Sequence, residues 1–175
     1  MDALTFIVDS VLTLAVYAFL LRLLLAIVRA DFRNPLSQAI LALTNWLVLP
    51  LRRILPPVGR VDTASVVALL TVQFVTTLIM FRLLTGAMIP FVPLIISGLR
   101  ELAVSAIQLY TALVFVYALL SFIAPGTYSP VASLLASLCE PLLRPLRRVL
   151  PVVGSLDFSP LVAIIGLQAL RILIT

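Results

Sequence analysis

Long apolar runs alternate along the chain with shorter apolar stretches that carry a narrow polar stripe. A helix needs about 20 mostly apolar residues in succession to cross a hydrocarbon core of about 30 Å. Four runs approach or exceed this length, and we expect them to be transmembrane helices over residues 4–28, 63–89, 102–124 and 158–175. The pattern therefore predicts an all-α membrane protein with about four transmembrane helices.

Two shorter apolar stretches, 35–49 and 130–144, are each about 15 residues long, or about 22 Å as a helix. Their polar residues recur at helical spacing and form a stripe on one face. The stripes contain Asn34, Ser37, Gln38, Thr44 and Asn45 in the first stretch, and Ser129, Ser133, Ser137 and Glu140 in the second. We expect short amphipathic helices, too short to cross, that lie in the membrane interface or enter it as re-entrant segments. Pro50 should end the first of them.

The chain contains an internal repeat. Residues 50–62 recur as residues 145–157, so equivalent positions are 95 residues apart. When residues 34–76 are aligned on 129–171, 15 of 43 positions are identical, and many of these are Pro, Gly, Arg or Asp. We expect two parallel two-span repeats, each with a short helix and a proline-rich Arg-Arg loop. The predicted boundaries are 1–89 for the first copy, 90–101 for a linker with a polar break at 98–101, and 102–175 for the second copy.

Composition supports a membrane location, because 63% of the residues are hydrophobic and only 11% are charged. All twelve basic residues are arginine, against seven acidic residues, and the net charge is +5. Anionic membrane lipids are the expected partners of these arginines. Nucleic acid is not expected, because the arginines lie on the connections between spans rather than on a basic domain with stacking aromatic residues. The two long connections carry most of them, so we expect these connections to be cytoplasmic and both termini to be periplasmic.

The repeated phrase contains two arginine pairs, Arg52-Arg53 and Arg147-Arg148. An aspartate, Asp62 or Asp157, lies ten residues after the first arginine of each pair. In one interpretation the arginines fix topology and bind lipid phosphate while the aspartates cap helices. In the other, arginine and aspartate pair within each copy and hold the loop folded back as a gate or a partner-docking surface.

A second set of polar residues lies inside the predicted spans. Gln73, Thr76 and Thr77 share a face of the second span, and Gln168 with Arg171 repeats that face in the fourth. One interpretation is ordinary helix packing, with amides that hydrogen-bond between helices. The other is a pathway lined by Gln73, Gln168 and Arg171, which four helices alone rarely enclose and which would therefore need an oligomer.

The remaining candidates favour structural roles. Arg22 lies deepest among the charged residues, at a depth from which its long side chain can reach the interface, so we expect a packing or interface role. Cys139 is the only cysteine and has Thr44 as its counterpart, so a reactive thiol is not expected. There is no histidine and no lysine. We therefore expect no enzyme activity, no metal site and no cofactor.

The repeated residues resemble those of the YggT family of small bacterial and plastid membrane proteins. The resemblance rests on Asn34-Pro35 or Ser129-Pro130, the Pro-Leu-Arg-Arg-x-Leu-Pro phrase, Gly59 or Gly154, Asp62 or Asp157, and Gln73 or Gln168. It covers nearly the whole chain as two copies. It implies paired spans in the bacterial inner membrane, and links with osmotic tolerance, cation uptake, cell division or, in plastids, cytochrome assembly.

The leading hypothesis is a non-enzymatic inner-membrane protein of envelope homeostasis or osmotic-stress tolerance, which scaffolds or assists another membrane complex through its arginine-proline loops. Its partners would be anionic lipids, other membrane proteins or further copies of itself. The alternative is a small oligomeric channel or transport component for cations, with Gln73, Gln168 and Arg171 around the path.

Overall fold

The computed structural model describes residues 2–56, 62–123, 129–149 and 157–175. This part of the chain is helical, without strands, in agreement with the predicted all-α class. Gly59 and Gly154 of the repeated phrase lie outside the described residues. The helices are α1 (Ala3–Val28), α2 (Pro35–Ile54), α3 (Thr63–Thr85), α4 (Phe91–Ile123), α5 (Pro130–Val149) and α6 (Ser159–Ile174).

Three described helices, α1, α3 and α4, are long and apolar enough to cross a membrane. The fourth predicted span corresponds to α6, which is apolar but has only 16 residues. The predicted end of the second span at residue 89 is wrong, because α3 ends at Thr85. Gly86 follows with a φ of 70°, a left-handed conformation that glycine adopts without strain and that commonly ends helices.

The predicted polar break at 98–101 is wrong, because α4 is continuous from Phe91 to Ile123. Pro93 lies in the first turn, where the missing N–H would have no helical partner in any case. Gly98 is buried where α4 meets α3, and a Cβ atom there would lie 2.7 Å from a ring carbon of Phe74. The glycine therefore permits close packing of the two helices and does not interrupt α4.

Both short helices extend beyond their predicted ends to 20 residues each, so the prediction that their length is too short to cross a membrane is wrong. α2 continues through Pro50 to Ile54, and α5 continues through two prolines to Val149. A proline inside a helix costs about 3 kcal/mol. In α2, burial of Val48 and packing of Leu51 against the core favour another turn despite this cost. Each arginine pair therefore lies in the last helical turn and not, as predicted, on a loop, and cations are favourable at this end of a helix.

The helices pack as two related groups of three. α1, α2 and α3 contact one another, as do α4, α5 and α6, and the groups meet through α3 and α4, α1 and α4, α1 and α5, and α2 and α5. The largest core cluster joins Phe19 and Leu20 of α1 to Val48 of α2 and Ala68 of α3. Asn34 links the starts of the two short helices, because its side-chain amide donates to the Pro130 carbonyl oxygen at 2.6 Å.

Candidate functional site

The first copy contains an ion pair between the end of α2 and the start of α3. Arg52, in the last turn of α2, pairs with Asp62, immediately before α3. The same Asp62 oxygen accepts a hydrogen bond from the Ser65 hydroxyl at 2.7 Å. The carboxylate makes no side-chain cap to the α3 backbone. Asp62 therefore joins two helices instead of acting as the backbone cap that the first interpretation predicted.

Arg22 extends this contact into the bundle. Its side chain comes from α1 and is only 3% exposed. The guanidinium donates to Thr44 Oγ1 at 2.7 Å and Asn45 Oδ1 at 2.8 Å on α2, and to Ser65 Oγ at 3.2 Å on α3. Of the packing or interface roles predicted for Arg22, these contacts support packing, because buried oxygens of α2 and α3 accept hydrogen bonds from its guanidinium within the bundle. Through Ser65 and Asp62, Arg22 is connected to Arg52.

The second copy forms its contacts around one arginine. Arg147, near the end of α5, donates from Nε to Asp157 Oδ2 at 2.7 Å and from Nη1 to Glu140 Oε2 at 3.0 Å. Its Nη2 donates to the Tyr117 hydroxyl of α4 at 3.2 Å. Asp157 Oδ1 also accepts the backbone N–H of Ser159 at 2.9 Å, so this aspartate pairs with arginine and caps α6 as well. The structure thus contains in each copy the Arg–Asp contact that the second interpretation requires.

The contacts shift the pKa values of the paired groups. Burial acts to raise the pKa of Asp62, but hydrogen bonds from Arg52 and Ser65 outweigh it and the pKa lies below its ordinary value. For Asp157, burial is likewise outweighed by hydrogen bonds from the Ser159 backbone and Arg147, and the pKa is lowered. Hydrogen bonds to Tyr117 and Asp157 raise the pKa of Arg147 despite its partial burial. Asp62 and Asp157 therefore remain ionised at neutral pH.

The other arginine of each pair has a different environment. Arg53 and Arg148 are exposed, and neither forms an ion pair with a described residue. Each pair thus divides into an arginine that holds the helices together and an arginine that faces outward. The predicted role of these residues in a gate or a docking surface stays a prediction.

The polar residues of α3 face α4. Gln73 is 2% exposed, and its amide nitrogen donates to Thr77 Oγ1 at 3.2 Å and to Glu101 Oε2 at 3.3 Å. Thr77 donates to the same Glu101 oxygen at 2.6 Å. Glu101 was missed as a site residue in the sequence, because it was assigned to the linker and its distance from Gln73 depends on how α3 packs on α4.

Gln168 does not join this set. Its amide nitrogen donates to Thr111 Oγ1 on α4 at 3.2 Å, ten residues along that helix from Glu101. The guanidinium of Arg171, in the last turn of α6, donates no hydrogen bond to a described residue. Within one chain, Gln73 and Gln168 therefore have separate neighbours, and the proposed path through Gln73, Gln168 and Arg171 is not assembled.

A polar cavity of about 470 Å³ lies between α1, α3 and α4, beside the end of α6. Its polar lining includes Asp9, Gln73, Thr76, Arg100, Glu101 and Ser105. Among the described residues, no group of three or more His, Cys, Asp or Glu side chains is placed to hold a metal ion. The hydrogen-bond acceptors on the cavity wall are side-chain oxygen atoms that come from α1, α3 and α4.

Cys139 lies in the core of the second group of helices, packed with Val114, Leu143 and Ala163. Its side chain is fully buried, and burial raises the pKa of the thiol to about 12. A thiol with this pKa is a poor nucleophile at neutral pH. This environment agrees with the expectation that Cys139 acts as a small core residue.

Comparisons with known proteins agree with the motif. The family model described as CCB3/YggT matches residues 1–84 and again residues 96–175. The "Uncharacterized protein YggT" of Escherichia coli K12 is 34% identical over 172 residues, which cover 98% of this chain and 88% of the relative. The "Uncharacterized protein PA0392" of Pseudomonas aeruginosa is 36% identical over 170 residues, covering 97% and 86%. A Vibrio alginolyticus protein, "Uncharacterized protein in proC 3'region", is 33% identical over 169 residues, covering 96% and 91%.

No solved structure matches the chain. Because the family model accounts for nearly all of the sequence in two successive matches, the chain belongs to the CCB3/YggT family.

Proposed function

We propose that this protein is a non-enzymatic, multi-pass protein of the bacterial inner membrane that scaffolds or assists another membrane complex in envelope homeostasis or osmotic-stress tolerance. The proposal rests on the different environments of the two arginines in each pair. Arg52 and Arg147 fix the end of a short helix to the aspartate before the next helix. Arg53 and Arg148 are thereby presented outward on a fixed support.

In the proposed membrane arrangement, α1, α3, α4 and α6 cross the bilayer as two parallel two-span repeats. The 16 residues of α6 give about 24 Å, and local thinning of the bilayer compensates for the shortfall at modest cost. The arginine-rich ends of α2 and α5 then lie on the cytoplasmic side and both termini on the periplasmic side, by the positive-inside rule. Arg53 and Arg148 would then bind anionic lipid headgroups or acidic segments of a membrane partner.

The test is complementation of a bacterial strain that lacks the protein, grown after an osmotic upshift. The double variant Arg53→Gln/Arg148→Gln should lose tolerance while the protein accumulates in the membrane at the normal level. Arg82→Gln is the matched control, because Arg82 is an arginine in the last turn of α3, outside the repeated phrase, and should retain tolerance.

Two results would count against the scaffold proposal. One is full tolerance with the double variant at normal abundance. The other is loss of tolerance with Gln73→Leu/Gln168→Leu but not with the arginine variant, which would favour the channel alternative.

A further inference from the structure

The polar cavity lies toward the end of the bundle opposite the arginine pairs. It extends along α1 from Asp9 to Val16, and along α3 from Gln73, near the middle of that helix, to Leu84 near its end. Ser97 and Ser105 of α4 line the other wall. The scaffold proposal assigns no role to this cavity. A space of about 470 Å³ lies within the range of small-molecule pockets, and is far larger than the roughly 30 Å³ that one water occupies.

Two buried oxygens beside the cavity have no hydrogen-bond partner among the described residues. They are Gln73 Oε1 and Thr76 Oγ1, on side chains that are 2% and 8% exposed and that both line the cavity. A buried acceptor without a donor destabilises the folded protein, because it has lost its hydrogen bond to water and gained none in return. Gln73 already uses its amide nitrogen as a donor to Thr77 and Glu101. Gln73 Oε1 therefore lacks a hydrogen-bond donor, and the Thr76 hydroxyl, which can both donate and accept, is free to accept from the same donor.

The charges on the cavity wall favour a cationic donor. Asp9 and Glu101 supply two carboxylates, and the Glu101 carboxylate is held in place by the Thr77 hydroxyl and the Gln73 amide. Arg100 is the one described cation of the lining, and its guanidinium donates to the backbone oxygens of Ile174 and Thr175 at the end of α6. Carboxylates thus outnumber the guanidinium, which is itself directed at α6.

We propose that this cavity binds a small organic ammonium ion, whose N–H groups donate to Gln73 Oε1, Thr76 Oγ1 and the carboxylates of Asp9 and Glu101. An N–H cation supplies both features that the wall lacks, positive charge and donors. The volume accommodates the alkyl part of such an ion, and Met80 and Val104, which are only partly buried, provide an apolar surface for it. The site is separate from the exposed arginines of the scaffold proposal.

Calorimetric titration of the full-length protein in uncharged detergent tests the site with four probes. Ethylammonium chloride carries charge and N–H donors, tetramethylammonium chloride carries charge alone, ethanol is a neutral donor, and potassium chloride is an alkali-metal salt. We expect a saturable heat with ethylammonium only. A saturable heat of equal size with potassium, tetramethylammonium or ethanol would overturn the proposal, as would the absence of heat with ethylammonium.

Matched variants locate the site. Glu101→Gln should weaken ethylammonium binding at least tenfold, because it removes a carboxylate and keeps the shape of the side chain. Thr76→Val removes one oxygen with little change in shape and should weaken binding severalfold. Gln168→Leu is the control, because Gln168 occupies the position in the second copy that Gln73 occupies in the first, and it contacts Thr111 away from this cavity. Unchanged binding in both test variants, or equal loss in the control, would overturn the assignment.

Discussion

Arg22 and Tyr117 occupy equivalent positions, 95 residues apart, in the first helices of the two groups. Tyr117 contacts the repeated phrase directly, whereas Arg22 is linked to it only through Ser65, and Arg22 donates hydrogen bonds where Tyr117 accepts one. Arg22 donates to Thr44 and Asn45 on α2 and is connected to Asp62 through Ser65. Tyr117 instead lies beside the guanidinium of Arg147. The first copy therefore buries an additional cation from α1 beside the Arg–Asp contact, whereas the second copy has in its place a neutral tyrosine that accepts a hydrogen bond from the arginine of the phrase.

A second position also differs between the copies, and here the second copy has the additional charge, which is negative. Asn45 of the first copy is replaced by Glu140 in the second, and Glu140 pairs with Arg147. The first cluster thus contains two arginines and one aspartate, and the second contains one arginine and two acids. The Arg–Asp contact is common to both clusters, while the charge around it is reversed. This comparison teaches that the repeated phrase specifies the contact between helices, and that the preceding helix and the short helix set the local charge.

The largest effect is expected for Arg22→Met, which keeps an unbranched side chain and removes the guanidinium. The substitution removes charge-assisted hydrogen bonds and leaves Asn45 Oδ1 without its donor. We expect the free energy of unfolding, measured in mixed micelles, to fall by about 2–4 kcal/mol. Tyr117→Phe is the matched change in the second copy, and it should cost about 1 kcal/mol because only one hydrogen bond is lost. Equal costs for the two variants would show that the clusters do not differ as described.

Exchange of the two roles sharpens the comparison. Arg22→Tyr/Asn45→Glu gives the first copy the residue types of the second, so that Arg52 gains an acidic neighbour seven residues before it, as Arg147 has. The double variant should be more stable than the sum of the two single changes predicts, by about 1 kcal/mol. Strict additivity in a double-mutant cycle would contradict the inferred equivalence.

The next largest effects are expected for Arg147→Leu and Arg52→Leu. Arg147→Leu should lower the free energy of unfolding more than Arg52→Leu does. Arg147 has three side-chain partners and its side chain is 31% exposed, whereas Arg52 has one partner and is 47% exposed. We expect losses of about 1–2 kcal/mol for Arg147→Leu and about 0.5–1 kcal/mol for Arg52→Leu, after allowance for solvent screening. The same unfolding assay measures both. Arg148→Leu and Arg53→Leu are the controls and should change stability by less than either. A larger loss for Arg52→Leu than for Arg147→Leu would reverse the comparison.

The sequence predicted the helical class, the family and the limits of α1 to within one residue, because a long apolar run leaves few alternatives. It failed where tertiary packing overrides local signals. Pro50 and the polar segment 98–101 were interpreted as helix ends, but packing of α2 on the core and of α4 on Phe74 keeps both helices continuous. The expected position of each arginine pair on a loop was wrong for the same reason.

The site residues divide in a similar way. The Arg–Asp contact of each copy was one of the two interpretations that the sequence offered. It was predictable because the arginine and the aspartate lie ten residues apart and recur together in both copies. The contact of Gln73 with Glu101 spans 28 residues, and Arg22 meets Asn45 across 23. Such contacts depend on the rotation of each helix about its axis, which a single sequence does not specify. The cavity follows from these rotations, so it was not predicted.

Acid should weaken the contact that the copies share. The pKa values of Asp62 and Asp157 are lower in the folded protein than the ordinary value of about 3.9. The Arg–Asp contacts therefore contribute fully above about pH 5 and are lost as the pH falls through the folded pKa values. We expect unfolding free energies that are constant between pH 7 and pH 5 and that fall by about 1 kcal/mol at lower pH.

Single variants separate the two contacts in this pH series. Asp157→Asn and Asp62→Asn should each reduce the acid-dependent loss, whereas Asp2→Asn is a control because Asp2 makes no side-chain cap to α1. An acid-dependent loss that neither test variant reduces would assign the titration to other groups and would contradict a shared role for the two contacts.

The smallest effect is expected where the copies differ in a neutral side chain, at Cys139 and its counterpart Thr44. The Thr44 hydroxyl accepts from Arg22 and donates to the Ile40 carbonyl four residues earlier at 2.7 Å. Cys139→Thr introduces a hydroxyl that can make the same backbone hydrogen bond in α5, so the unfolding free energy should change by less than about 1 kcal/mol. Thr44→Cys should cost more, because it weakens an acceptor of the buried guanidinium.

With its pKa raised to about 12, the Cys139 thiol of the folded wild-type protein should also react with maleimide far more slowly at pH 7 than the unfolded chain does. Rapid labelling of the folded protein would contradict the buried position of Cys139, and a larger cost for Cys139→Thr than for Thr44→Cys would contradict the role of Thr44 as an acceptor for Arg22.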